Sequence, residues 1–278
     1  MLPNLIVIGA AKCGTTSLHE YLDKHPEIAM AQAKELRFFV ENKNWGQGLT
    51  WYESQFDATA AVRGEATPAY SAFPLYRGVP ERMARTIPGA KLIYLVRDPI
   101  ARIVSHFSHR TVNWPEMDTL DDALGKPDIR EWLVTPSRYW LQLEQYLEHF
   151  PERQILVLDS DDLRRKRDET LASVFAFLGV DPTFRSTGFE QTHNVGTGRT
   201  KMNRAGRTVS LLIGRTLGAR RSQALRSHVP AVLKAPFRYE VKQPVLSNEL
   251  RSELEEELSG DVERLRAYTG LLFAGWSL

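Results

Sequence analysis

Leu5-Ile-Val-Ile8 is an unbroken apolar run closed by Gly9, the pattern of a strand buried on both faces. From Thr15 to about Lys24 the period lengthens, with Leu18, Tyr21 and Leu22 on one face, and predicts a helix. Lys91–Val96 reads as a second buried strand, and Pro99 suits the first turn of a following helix. Pro136 likewise opens a helix carrying Trp140, Leu143, Leu147 and Phe150. Gln154–Leu158 is a third strand, and Asp168–Leu178 a helix stopped by Gly179. Near the end, Leu250, Leu254, Leu258, Val262 and Leu265 keep helical spacing, interrupted by Gly260. Strands separated by helices predict an α/β fold with a parallel sheet. No period of about 20–50 residues repeats and no linker interrupts the pattern. The expectation is one domain over residues 1–278, with 191–244 as a basic, less regular insertion.

Composition narrows the class. Of 278 residues, 42% are apolar and 25% charged, which excludes a disordered chain, a collagen and a coiled coil. The apolar stretch Leu5–Ala11 falls far short of the roughly 20 residues of a membrane span. Only Met1–Asn4 precede it, with no basic segment of a signal peptide, so a cytoplasmic protein is expected. The single cysteine, Cys13, excludes an internal disulfide and any Cys-rich metal site. A net charge of +2 argues for no partner, but its distribution is uneven. Between Gln191 and Tyr239 stand ten Lys or Arg and no acid. From Glu249 to Glu263 seven acids face Arg251 alone. The basic stretch reads either as a solvated face or as a surface for phosphate, a polyanion or a membrane. Val209, Leu212, Ile213 and Leu217 at helical spacing keep peripheral membrane contact through 199–238 as one alternative. With only Phe237 and Tyr239 as aromatics there, no base-stacking platform for nucleic acid is expected.

The strongest chemical signal follows the first strand: Gly9-Ala-Ala-Lys12-Cys13-Gly14-Thr15-Thr16-Ser17. A Gly-bounded loop between strand and helix aims backbone N–H groups and the helix dipole at an anion. Gly9, Gly14 and Thr16 match the P-loop pattern, but Thr15 stands where its lysine belongs, and Lys12 lies inside the loop. The second strand ends Val96-Arg97-Asp98, so a base precedes the acid that would help hold Mg²⁺ in a nucleotide triphosphatase. The loop is built for an anion without a metal.

The loop Ala10–Leu18 resembles the 5′-phosphosulfate loop of sulfotransferases that use 3′-phosphoadenosine-5′-phosphosulfate (PAPS) and release PAP. Three further segments resemble that family in the same order. Lys34-Glu35-Leu-Arg-Phe38-Phe39 is similar to its catalytic-acid motif, and Gly64-Glu65-Ala-Thr67-Pro68-Ala-Tyr70 to its substrate-cleft segment. Leu95-Val-Arg97-Asp98-Pro99 through Arg102 to Ser105 is similar to its 3′-phosphate site. Together they cover about the first 110 residues, and 136–180 follows more loosely. The pattern is closer to the glycan-modifying, heparan-sulfate-type and bacterial branch than to the small-phenol branch.

The resemblance implies a P-loop-like three-layer fold, a central parallel sheet flanked by helices, and sulfuryl transfer from PAPS to a hydroxyl or amine. It implies that Lys12 stabilises the leaving phosphate and that Cys13, Gly14, Thr15, Thr16 and Ser17 hold the 5′-phosphate. It implies Arg97 and Ser105 as the 3′-phosphate pair, and a basic loop including Gly198 and Arg199 that closes over it. Glu35 is the implied general base, with an ion pair to Lys34 or Arg37 as its other reading and His106 and His109 as rivals. Lys34 and Arg37 could equally hold the sulfate or an anionic acceptor, and Phe38 and Phe39 read as core anchors. Glycan-acting relatives often carry a lysine before Thr-Pro where this chain has Ala66, so the acceptor stays open among small molecule, lipid and glycan. No metal is called for. A P-loop small-molecule kinase and a non-catalytic nucleotide- or polyanion-binding module remain the alternatives.

Overall fold

The computed structural model describes residues 1–110, 119–190, 200–202, 238–240 and 244–278. Five parallel strands form its sheet: β1 (Leu5–Gly9), β2 (Ile28–Met30), β3 (Val62–Ala66), β4 (Lys91–Val96) and β5 (Ile155–Asp159), in the order β2-β3-β1-β4-β5. β1 and its neighbour β4 are almost wholly buried, as their unbroken apolar runs require of central parallel strands. The helices that join or follow the strands are α1 (Thr15–Leu22), α2 (Gly48–Glu53), α3 (Val79–Thr86), α4 (Pro99–Arg110), α5 (Leu120–Leu124), α6 (Pro127–Val134), α7 (Tyr139–Leu147), α8 (Ser160–Arg165) and α9 (Arg167–Leu178). After them comes α10 (Asn248–Thr269). This is the P-loop-like α/β arrangement expected. Within the basic insertion, β6 (Thr200–Met202) pairs antiparallel with β7 (Arg238–Glu240).

Strand order reverses between β1 and β4, and in open α/β sheets ligands bind beyond the carboxyl ends at such a point. The two strand ends are tied there, Ala10 N donating to Leu95 O at 2.6 Å. A main apolar core surrounds the sheet. A second packs Ile103 and Phe107 of α4 against Leu133 of α6 and Leu254 and Leu258 of α10.

Several boundaries differ from the sequence pattern. α1 ends at Leu22, not near Lys24. Pro136 lies in a 3₁₀ turn, Thr135–Ser137, and the helix begins at Tyr139 and stops before Phe150. α10 runs unbroken through Gly260. Its buried stripe of Leu254, Leu258, Val262 and Leu265 outweighs a mid-helix glycine, which costs about 1 kcal/mol. Gly179 does end α9, at φ 82°, in the left-handed region that favours glycine. No described helix is long and apolar enough to cross a membrane. Val209, Leu212, Ile213 and Leu217 lie outside the described residues.

Gly9 is required by close approach. A Cβ there would stand 1.7 Å from Ser71 Oγ and 3.2 Å from Tyr94 Cε2. Gly9→Ala should therefore destabilise the fold by about 1–3 kcal/mol, read as a lower urea midpoint at unchanged slope. Removing the Ser71 hydroxymethyl in the same chain, as Ser71→Gly, should restore part of the loss.

Candidate active site

The cleft beyond β1 and β4 has a volume of about 1100 Å³. Its floor is the loop between β1 and α1. Cys13 N donates to Ala10 O and closes the turn, and Gly14 adopts φ 92° before the helix. No side chain caps α1, so its first N–H groups are left to an acceptor in the cleft. Thr15 is buried, while Thr16 and Ser17 line the opening with Lys12.

Strain marks the same place. Among the described residues four non-glycines adopt left-handed φ, and Lys12 (74°), Glu35 (60°) and Arg37 (49°) all line this cleft. Each such residue costs of order 1 kcal/mol, and strain of this kind collects where it serves a site.

Cys13 belongs to the loop's foundation. Its side chain is buried 3.6 Å from Tyr139 Oη, and burial pushes the thiol pKa up to about 11. With its N–H bonded back to Ala10 O and its thiol buried, Cys13 shapes the loop that lines the cleft.

Segment 34–39 forms the facing wall. Leu36, Phe38 and Phe39 are core anchors, as their type predicts. Phe38 stacks on Tyr52 at 4.0 Å, and Phe39 N meets Tyr70 Oη. The residues between them point the other way. Glu35 N bonds Ala66 O and Arg37 N bonds Thr67 Oγ1, so Glu35 and Arg37 are held beside the end of β3. Their side chains form an ion pair at 2.7 Å, each still 38% exposed in the cleft. Lys34 reaches across to Thr16 Oγ1 at 2.5 Å, a contact the spacing of the two residues does not announce.

The third wall follows β4. Arg97 and Ser105 both line the cleft, Ser105 on α4. Among the described residues no carboxylate pairs with Arg97. Asp98 is occupied elsewhere: Oδ1 accepts from Ala101 N at 2.6 Å and caps α4, and Oδ2 accepts from Ser277 N at 2.5 Å. That disposes of the Arg97–Asp98 pair and leaves Asp98 poorly placed as the magnesium acid a kinase would need. Ser277, which no sequence signal marks, thereby becomes part of the cleft wall.

Arg102 is not a ligand residue. It is completely buried and donates to Ser137 Oγ, to Leu133 O and, at 3.4 Å, to Ala11 O in the loop. Its Nη1 also lies 3.2 Å from His106 Nδ1, and the His106 ring packs on Trp132 at 3.9 Å. His106 is thereby built into the wall, whereas His109 is exposed on the cleft. Gly198 and Arg199 lie outside the described residues.

The resemblance also marked Glu65 and Tyr70 as a substrate-cleft segment, and here the structure differs. Both are buried, and only Pro68 and Ala69 of that segment line the cleft. Glu65 accepts from Tyr52 Oη, Tyr70 Oη and Thr67 Oγ1 at 2.5, 2.9 and 2.7 Å. It is a structural carboxylate that holds the wall behind Glu35.

Comparison with known proteins agrees with this geometry. The family described as "Sulfotransferase domain" matches residues 2–209. Human heparan sulfate glucosamine 3-O-sulfotransferase 5 is 31% identical over 192 residues, which is 65% of this chain and 54% of that protein. The bifunctional heparan sulfate N-deacetylase/N-sulfotransferase 1 of Caenorhabditis elegans is 28% identical over 193 residues, 64% of this chain and 22% of that protein. The chain thus spans about half or less of these relatives. A sulfotransferase crystal structure from Alicyclobacillus acidocaldarius superimposes with a TM-score of 0.61 at 25% identity, covering 84% of this chain and 99% of that one.

Glu65 supplies a prediction that is independent of any ligand. Burial holds its carboxyl above the ordinary carboxylate range, with the three hydroxyls pulling the other way. A pKa raised by folding means the folded state binds the proton more tightly. Ionisation of Glu65 therefore subtracts stability as pH climbs from the ordinary value of 4.5 through the folded one. Glu65→Gln removes that dependence. Its stability relative to wild type should shift in the variant's favour with rising pH, in urea titrations at a series of pH values. A difference independent of pH would show that this carboxylate ionises without cost.

Proposed function

From a chain that belongs to the sulfotransferase family, with a candidate anion cradle facing a carboxylate, we propose an enzyme that moves a sulfuryl group from PAPS to an acceptor hydroxyl or amine. When bound, PAPS supplies the sulfuryl group: its S–O bond to the 5′-phosphate breaks as one to the acceptor oxygen or nitrogen forms, the phosphate keeping the electron pair and the acceptor's proton passing to Glu35. The observation that carries this reading is the convergence of the uncapped α1 N-terminus, Lys12 and the acid-free Arg97 on one cleft, with Glu35 across from them.

The residues fit such a group at both phosphates. The α1 N–H groups and the Thr16 and Ser17 hydroxyls hold the 5′ end, with Lys12 beside the bridging oxygen where charge grows. Preorganised donors of this kind are worth most where water is excluded. Arg97 grips the 3′-phosphate through its planar fork, with Ser105 donating from α4. Glu35 takes the acceptor proton, and Arg37 orients that carboxylate. A positioned base contributes about 10²–10⁴-fold. The acceptor belongs among small molecules, lipids and glycans, and relatives named for heparan sulfate support the glycan class.

PAP should raise the melting temperature without magnesium, whereas Mg·ATP should not. Stabilisation by Mg·ATP alone would overturn the reading in favour of a kinase. Arg97→Ala should weaken PAP by about 2–5 kcal/mol and adenosine 5′-phosphosulfate far less, since only PAP carries the 3′-phosphate. Equal losses in calorimetry would remove Arg97 from the 3′ site. Glu35→Gln should leave PAP affinity nearly unchanged while single-turnover sulfation falls about 10²–10⁴-fold. Near-normal sulfation would pass the base's role to another group, with exposed His109 first.

A further inference from the structure

We propose that Lys34 is a second cation of the transfer step, donating to a peripheral oxygen of the sulfuryl group between the loop that holds the phosphate and the base that takes the proton. The inference rests on the sulfotransferase reading above and adds a residue that the reading does not require.

Position is the first argument. Lys34 directly precedes Glu35, whose backbone is pinned to Ala66 O on the acceptor wall. Its Nζ nevertheless lies 2.5 Å from Thr16 Oγ1, in the first turn of α1. One side chain therefore spans the cleft from the wall of the base to the wall of the phosphate. A group crossing between those walls passes this ammonium.

Donor count is the second. An ammonium carries three N–H donors. The hydroxyl of Thr16 takes one, and among the described residues no carboxylate lies within ion-pair reach of Lys34, because Glu35 is engaged by Arg37. The side chain is half-buried, and that burial holds its pKa below the ordinary lysine range, against the pull of Glu35 and Glu20. A partly desolvated ammonium with spare donors is held ready for an anionic oxygen.

The test needs no acceptor for its main readout. Affinities of PAP and of PAPS would be measured by calorimetry for wild type, Lys34→Met, Lys34→Arg and Thr16→Val, with melting curves to verify folding. Only PAPS carries the sulfuryl group. Lys34→Met should weaken PAPS about tenfold while PAP changes much less, and Lys34→Arg should recover most of the difference. Single-turnover sulfation by Lys34→Met should fall by about 10²-fold or more, the usual cost of losing one charge-stabilising donor. If Lys34 merely positions Thr16, Lys34→Met and Thr16→Val will weaken PAP and PAPS equally, which overturns the proposal and leaves the sulfotransferase reading intact. A wild type that binds neither nucleotide overturns both. Should Lys34→Met not fold, the folded Lys34→Arg decides: a PAPS-to-PAP affinity ratio and a rate near wild type support a guanidinium substituting for the ammonium, and equal weakening of both nucleotides refutes it.

Discussion

A guanidinium with no surface in water links the helix of the second apolar core to the loop rooted in the first. Arg102 sits on α4, whose apolar face (Ile103, Phe107) belongs to the second core, yet it bonds Ala11 O in the loop rooted in the first. Burying a cation costs several kcal/mol unless its donors are satisfied. Here Ser137 Oγ, Leu133 O, Ala11 O and His106 Nδ1 supply the acceptors, and among the described residues no carboxylate does. Burial accordingly pulls its pKa below the ordinary arginine value. Through this side chain α4, the 3₁₀ turn at Ser137 and the end of α6 are all tied to the loop between β1 and α1. Losing it would leave several buried acceptors unpaired, at about 1–3 kcal/mol each.

The cleft gains its positive character by engaging its acids. Asp98 is taken by two backbone N–H groups, Glu35 by Arg37, Asp161 by Arg164, and Glu65 by three hydroxyls behind the wall. Arg97 and Lys34 have no acid partner among the described residues. A chain of net charge +2 thus gathers Lys12, Lys34 and Arg97 on one cleft, through the placement of neutralising contacts and not through bulk charge.

What could be read from the sequence is what short-range chemistry controls. β1, β4, the Gly14 entry to α1 and the Gly179 exit from α9 follow from apolar runs and from glycine's freedom. β3 could not be read that way, because Val62-Arg-Gly-Glu-Ala66 places an arginine and a glutamate in a strand. Glu65 is tolerated there only because Tyr52 and Tyr70, distant along the chain, bring hydroxyls to it. Three-residue β2 is too short for any periodicity. Within the site, Lys12, Arg97 and Ser105 follow local motifs. Lys34 on Thr16, Arg102 on Ala11 and Ser277 on Asp98 bridge 18, 91 and 179 positions. Such contacts exist only once the sheet has formed, so a linear pattern cannot hold them. Cys13 shows the converse: it lies inside a local motif, but its burial against Tyr139 is set by a residue 126 positions away.

The bond from Ser277 to Asp98 also has a bearing on how the protein comes into being. Trp276 stacks on Phe273 at 4.2 Å and leans on Tyr139, the ring that also meets the Cys13 thiol, so this short segment is packed directly behind the loop. A ribosome delivers β1, the loop and β4 long before it delivers residues 273–278. Until then the cleft is without Ser277, and Asp98 Oδ2 is without that backbone donor. That edge of the cleft is therefore completed by residues far from the loop along the chain, and it takes shape only once they have packed.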